Sequence, residues 1–257
     1  VKIACLSNAS AVHTAPWVDY FRGRGHEVRL YSLEPDLANR GVVALPRLPL
    51  PGLLRYPLAA PALRRALAEF APDLVDAHFV PNYGLLGALS GWRPLCVTAW
   101  GSDLLLGMSS ALRRARARWV LARADRVLVD AENLARAARD LGAPAEKVLV
   151  IAWGVEMSRF DRAAPREPGL MVTTRMHEPV YDVPVVLHAA AMAMRERQDL
   201  RLVVAGDGSL RPQLELQARA LLPAGRFEFV GRVDAPTMAV LLGRAEIYLS
   251  ASRSDST

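Results

Sequence analysis

At 257 residues the chain is longer than an average domain and suits one large domain or two of ordinary size. Hydrophobic residues make up 52% of it, ample for packed cores, yet no run of 18 uninterrupted apolar residues occurs, which excludes a helical membrane span. The net charge is +6, and all of the surplus precedes residue 161: residues 1–160 carry 20 Lys and Arg against 14 Asp and Glu, whereas 161–257 carry 12 of each.

Such a surplus suits an anionic acceptor or an anionic membrane surface. Cys5 and Cys96 both sit in apolar runs and read as buried thiols rather than as a disulfide or a metal site. The opening VKIACLSNAS reads as a strand and lacks a signal-peptide core. Together these predict a cytoplasmic chain.

Along the chain, β-branched apolar runs alternate with helical-period runs. Strands are expected at Lys2–Ser7, Glu27–Ser32, Leu74–His78, Leu95–Ala99, Arg126–Asp130 and Lys147–Ala152, with helices near 14–23, 58–70, 83–90, 110–123 and 133–141. Gly23, Gly25 and Gly142 are placed as left-handed helix caps. Periodicity lapses in DRAAPREPG, so a linker is expected over 161–169, between a first domain at 1–160 and a second at 170–257.

The alternation then restarts: strand Leu170–Thr174, helix 183–197, strand Leu200–Ala205, helix 210–221, strand Phe227–Val230, helix 235–243 and strand Ile247–Ser250. The fold expected is α/β, with two Rossmann-like, doubly wound parallel sheets. The last strand has no helix after it, which is expected of a second domain that is cut short.

Ligands of open α/β sheets bind beyond the carboxyl ends of strands, so the loops there are the candidate sites. Asn8, Ser10 and His13 follow the first strand, where no glycine triplet occurs and an NAD or FAD fingerprint is absent. A polar loop of this kind can present N–H groups to an anion, and His13 reads equally as a ligand contact or as a helix-start residue. His78 ends a strand, as a binding residue or as one bonded to neighbouring backbone.

Trp100, Gly101 and Asp103 follow the next strand. Trp100 offers a stacking face and Asp103 an acceptor for a sugar hydroxyl; a core Trp and a helix cap fit equally well. In the second half Arg175 has the planar fork that suits a phosphate, and Glu178 holds that Arg or meets the sugar. Gly206, Asp207 and Gly208, then Gly231, Arg232 and Val233, and finally Arg253 and Asp255 close the later strands. Four strand ends in succession with Gly, Arg or Asp point to one shared ligand cleft.

Residues 111–126 carry six Arg against one Asp. Helical spacing puts Leu112, Ala115, Trp119 and Ala122 on one face, so the segment reads as a solvated helix packed through that face, with an anionic membrane or acceptor patch as the alternative. No aromatic interleaving accompanies the charge, and nucleic acid is not expected.

These segments, in this order, resemble the family-4 retaining glycosyltransferases of the GT-B fold. The opening CLSNASAVHTAPWVDYFRGRGHEVRLYS is similar to that family's first β-α-β unit, PDLVDAHFVPNYGLLGAL to its D-I-V-H-A-H segment and VTAWGSDLL to its V-H-G-x-D segment. VLVIAWGVEMSRF is similar to its V-I-P-N-G-V-D-x-x-R-F crossover, and LVVAGDGSLRPQLE and FEFVGRV to its donor-domain loops.

The resemblance implies a retaining transfer from a UDP- or GDP-linked sugar to a glycan, lipid-linked or small acceptor, in polysaccharide or cell-envelope biosynthesis. It places the acceptor against the first domain (Asn8 to His13, His78, Trp100 to Asp103) and the donor against the second. Arg175, Glu178 and Asp255 carry the chemistry; Gly206 to Gly208 meet the nucleotide, and Arg232 and Val233 the base. No bound cofactor and no metal are implied, and no Asp-x-Asp occurs.

Three departures stand out. Tyr181 occupies the position of a second phosphate-binding Lys, Trp100 that of a His facing the reacting sugar, and Asp255 that of the first Glu of a Glu–seven residues–Glu pair whose second member falls beyond Thr257. The chain as it stands is therefore expected to be inactive. A nucleotide-sugar epimerase of the same fold and a non-catalytic sugar-nucleotide-binding protein are the alternatives.

Overall fold

The structure is a computed structural model. It describes residues 1–11, 13–35, 41–106, 110–154, 160 and 165–254. Contacts divide the chain into two compact units, Val1–Trp153 and Gly154–Asp255. Of the expected linker, 161–164 lies outside the described residues.

The first unit runs β1 (Lys2–Leu6), α1 (Thr14–Gly23), β2 (Glu27–Ser32), β3 (Val43–Ala44), α2 (Gly52–Phe70) and β4 (Leu74–His78). A π-helical turn (Phe79–Gly84) follows, then α3 (Leu85–Ser90), β5 (Leu95–Thr98), α4 (Ser102–Leu105), α5 (Ala111–Arg123), β6 (Arg126–Val129), α6 (Glu132–Asp140) and β7 (Val148–Val150). Its seven strands lie in the order β3-β2-β1-β4-β5-β6-β7, all parallel. The order reverses between β1 and β4, and such a switch point opens a crevice at the carboxyl ends of its strands.

Alternation along β1 builds two cores. Ala4 and Leu6 join the larger one, with Leu63, Leu67 and Val97, while Ile3 and Cys5 pack with Val18, Val28 and Leu30 on the other face. Both cysteines are free and buried, and burial, first among several influences, pushes both thiols above their ordinary range. α2 starts six residues before the expected 58 and contains Pro57 and Pro61. Burial of Tyr56, Ala59, Ala60, Leu63 and Leu67 carries the helix through both prolines, although each removes a backbone donor. Gly25 and Gly142 have the positive φ of left-handed caps, whereas Gly23 is simply the last residue of α1.

The expected inner face of α5 is wrong. Leu112 is 58% exposed, and Ala115 and Ala122 are exposed too, whereas Ala117, Val120 and Leu121 are buried. Small and β-branched residues fit the close approach of α5 to the π-helical turn, and Arg116 turns inward beside them. Trp119 stays at the edge with the Arg123 guanidinium 4.2 Å from its ring centre.

The second unit runs β8 (Glu167–Thr173), α7 (Val183–Glu196), β9 (Arg201–Ala205), α8 (Arg211–Leu221), β10 (Phe227–Gly231), α9 (Ala235–Arg244) and β11 (Ala245–Tyr248). Its parallel order is β10-β9-β8-β11, with the switch point between β8 and β11. β8 begins three residues before the expected strand, inside the expected linker. Pro168 and Gly169 hide it from the sequence; Glu167, opposite Ala245 and ion-paired to both Arg201 and Arg244, holds it in the sheet. Among the described residues no helix is long and apolar enough to cross a membrane.

Candidate functional site

In the first unit the crevice at the ends of β1 and β4 is a cavity of about 170 Å³ lined by Ser7 and Asn8, by Tyr56 of α2, by His78, Phe79, Asn82 and Tyr83, and by Trp100. The loop after β1 is pinned. Ser7 Oγ lies 2.8 Å from Thr14 Oγ1, Thr14 Oγ1 donates to the Asn8 carbonyl at 2.7 Å, and Asn8 Oδ1 accepts from the Ser10 N–H at 2.8 Å. Ser10 Oγ donates away from the cavity, to the Pro35 carbonyl. Phe79, where β4 gives way to the π-helical turn, has φ 70°, a conformation that costs an L-residue about 1–3 kcal/mol and is concentrated at functional sites.

Beneath the cavity lies a chain of hydrogen bonds. Asp76, 4% exposed, accepts from Trp17 Nε1 at 2.8 Å and Thr98 Oγ1 at 2.8 Å, and its Oδ2 lies 2.9 Å from His78 Nε2. Trp100 Nε1 donates to His78 Nδ1 at 3.2 Å, which puts the His78 proton on Nε2, facing Asp76. Burial works to raise the Asp76 carboxyl, but its electrostatic attraction to His78 and the hydrogen bonds from His78, Thr98 and Trp17 outweigh it and hold the carboxyl below its ordinary value.

Trp100 is thereby locked through its indole nitrogen. His13 packs edge-on to Trp100 at 5.4 Å and to Trp153 at 5.1 Å between ring centres, and burial lowers its pKa, with Asp130 opposing and His78 adding to the shift. Asp103, 1% exposed, takes the N–H groups of Val80 and Trp100 at 2.9 and 3.0 Å; burial raises its carboxyl and these N–H groups partly offset that. It ties two loops together, and Gly101 beside it has φ 104°. Trp17 and Trp153 went unnoticed in the sequence, and Asp76, in the place of the first His of the D-I-V-H-A-H segment, was not taken as a site residue. Asp76 had a signal, two residues before His78 and so on the same face of the strand.

In the second unit Arg175 stands at the switch point. Its Nε donates to Ser250 Oγ, beyond the end of β11, at 3.0 Å, and its guanidinium lies 5.8 Å from the centre of the Tyr181 ring. The loops after β8, β9 and β10 interlock: the His177 N–H donates to the Asp207 carbonyl, the Leu210 N–H to the His177 carbonyl and the Gly206 N–H to the Gly231 carbonyl. Glu178 takes the Ser209 N–H at 2.8 Å and its hydroxyl at 2.7 Å, and those bonds hold its carboxyl below the ordinary range.

Gly206 and Gly208 are glycines of necessity. At φ 128° and 159°, a Cβ would lie 2.5 Å from the Arg175 carbonyl oxygen and 2.6 Å from that of His177. Asp207 reaches Arg211, which also donates to Glu215 at 2.9 Å and lies against Gly231. Arg232 is exposed, Val233 packs on the apolar cluster under β8 and β9, and Asp255 lies outside the described residues. Among the described residues no group of three His, Cys, Asp or Glu is placed to hold a metal ion.

Nothing in the sequence singles out His177. It is wholly buried, edge-on to Phe229, with no hydrogen-bond partner for either ring nitrogen among the described residues. Burial lowers its pKa, Arg211 adds to this, and Asp207, Glu215 and Glu178 oppose it. The folded protein therefore resists protonating His177, so stability is full above the ordinary value of 6.5 and is lost as pH falls below it. His177→Phe is expected to flatten thermal stability against pH just below that value and to raise stability at pH 7 by about 1 kcal/mol, because an unsatisfied buried donor is removed. Unchanged melting curves across that range would contradict this.

A model of the glycosyl transferase 4-like domain matches residues 8–154, and one of glycosyl transferases group 1 matches residues 155–257. The chain belongs to the glycosyl transferase 4-like family. Among solved structures, this glycosyltransferase is similar to Anabaena HepE in complex with UDP-glucose, at 16% identity and a TM-score of 0.73 over 98% of this chain and 74% of that one. It is similar also to sucrose-phosphate synthase from Thermosynechococcus elongatus (15%, 0.76, 100% and 76%). A third is a Listeria monocytogenes protein whose assignment as a UDP-N-acetylglucosamine 2-epimerase is itself provisional (14%, 0.65, 96% and 73%). Identities this low speak for the fold, which is GT-B. A search of curated proteins finds no match.

Proposed function

We propose that this glycosyltransferase moves a sugar, with retention of configuration and without a metal, from a UDP- or GDP-linked donor on the second unit to a glycan, lipid-linked or small acceptor on the first. The observation that carries the reading is Arg175, set at the switch point of the four-stranded sheet above loops whose glycines bring backbone within reach of a ligand. That HepE was crystallised with UDP-glucose supports the same donor class.

In the reaction the bond from the sugar's anomeric carbon to the diphosphate oxygen breaks and a bond to the acceptor oxygen forms, while the acceptor's proton leaves on the diphosphate. Arg175 neutralises the charge growing on that leaving group. Tyr181 keeps the guanidinium in place from its ring face, and Glu178, anchored by Ser209, accepts from a donor-sugar hydroxyl. Trp100 offers the acceptor a stacking face.

Incubation with a panel of radiolabelled UDP- and GDP-sugars tests the reading. Sugar transfer or slow sugar release supports it, free epimer would favour the epimerase that the Listeria fold brings to mind, and binding without turnover would favour a non-catalytic role. Peripheral binding to an anionic membrane through residues 111–126, at the inner face of the cell membrane, belongs to the same reading, because Arg113, Arg114 and Arg118 are exposed beside Leu112. Reversing those three charges is expected to lower affinity for vesicles containing phosphatidylglycerol at least tenfold at low salt; equal binding would leave α5 an ordinary solvated helix.

A further inference from the structure

The cavity of the first unit is lined by hydroxyls, amides, an imidazole and aromatic rings. Tyr56 lines it, with a hydroxyl that has no hydrogen-bond partner among the described residues, and Asn8, whose Oδ1 already accepts from the Ser10 N–H, has its amide N–H groups to offer. No carboxylate lines the cavity. The two acids nearby are already engaged, Asp76 by Trp17, His78 and Thr98, and Glu34 by the Tyr83 hydroxyl. Hydroxyl and amide donors beside an aromatic face, with no carboxylate to repel it, leave room for an anionic oxygen.

Behind Tyr56 stands positive charge. The phenol feels Arg55, Arg116 and Arg47, though burial first and Glu34 next outweigh them and push it up to about 12, so it remains a donor at any ordinary pH. Arg116 reaches inward from α5, which packs on the π-helical turn that supplies Phe79, Asn82 and Tyr83. Its Nε and Nη2 are shut off from solvent with no hydrogen-bond partner among the described residues, and burial lowers its pKa. A guanidinium in that condition lacks a counter-anion.

We propose that the cavity selects an acidic acceptor, a sugar bearing a carboxylate or a phosphate ester, whose anionic oxygens take the Tyr56 hydroxyl and answer the charge of Arg116 while its ring lies on Trp100. This rests on the acceptor lying against the first unit, and it names the acceptor's chemical class. It also gives a local meaning to the positive surplus of residues 1–160.

The test is a titration of the full chain, followed by tryptophan fluorescence, with glucose, glucuronate and glucose 6-phosphate at one fixed ionic strength. At least one of the acids is expected to bind ten times tighter than glucose; which of them does so identifies the anion. Arg116→Met is expected to cut that preference to twofold or less, Arg116→Lys to restore part of it, and Tyr56→Phe, which keeps the ring, to lower it several-fold. Equal binding of all three sugars, no binding of any, or a preference that survives both Arg116→Met and Tyr56→Phe overturns the proposal. UDP binding, measured separately, reports on the second unit, so loss of the acid preference with UDP binding intact leaves the transfer reading standing.

Discussion

Arg175→Ala is expected to lower transfer from a nucleotide sugar about 100-fold or more, and to weaken UDP and GDP binding by about tenfold. The reasoning is electrostatic. A leaving diphosphate gains charge as the bond to the sugar breaks, and a fixed guanidinium answers it without reorganisation; removing one such donor costs about 2.7–4 kcal/mol in comparable sites. With Tyr181 in the position of a Lys, the departing charge rests on Arg175 more heavily than two cations would allow. Arg175→Lys keeps a charge but loses the planar fork, and with it the face packed over Tyr181 and the Nε bond to Ser250, so it should recover only part of the rate. Calorimetric titration with UDP and GDP checks the binding, and initial rates check the chemistry. Affinity equal to the parent's would place the diphosphate elsewhere.

Asp76→Ala is expected to unfold the first unit at markedly lower temperature, with a loss of about 3–5 kcal/mol. The substitution leaves the Trp17 and His78 N–H groups and the Thr98 hydroxyl without their buried acceptor, each a desolvated donor. It also frees His78 to turn, and Trp100 loses the hydrogen bond that fixes its indole nitrogen beside the cavity. Acceptor affinity should therefore fall with stability. For the parent, the Asp76 carboxyl is held below its ordinary 3.8 in the folded state, so its contribution is present above that value and is lost as pH falls through the lowered one. Denaturant unfolding at pH 7 and below pH 4 measures both. A loss under 1 kcal/mol in Asp76→Ala would show that Asp76 is not the hub.

Much of the second-unit site was legible because a strand-to-helix turn advertises itself. Gly206 and Gly208 follow a clean apolar strand, Arg175 follows another, and the structure sets both at the ends of neighbouring strands of one sheet. His177 was invisible: it lies one residue before Glu178 with no pattern to mark it, and only the closing of the Asp207–Leu210 loop over it shows that it is buried. The face of α5 was misread for a related reason. Leu112 and Trp119 are the residues a periodicity argument counts, but a helix pressed against a π-helical turn needs small side chains at the contact, and Ala117 supplies one.

The strand ends after β1 and β4 were likewise visible from the sequence, as Asn8 and His78. Their partnership was not, because 70 residues separate them and the π-helical turn that brings Phe79, Asn82 and Tyr83 to the cavity has no sequence signature. Alternation of strand and helix patterns, local by nature, determined the α/β class and which loops face a ligand. Long-range contacts decided the rest: that Asp76, His78 and Trp100 form one hydrogen-bonded chain, that Asp103 is a buried tie between loops, and that Arg116 turns inward. A burial state depends on what packs from elsewhere in the chain, and that is set only when the sheets close.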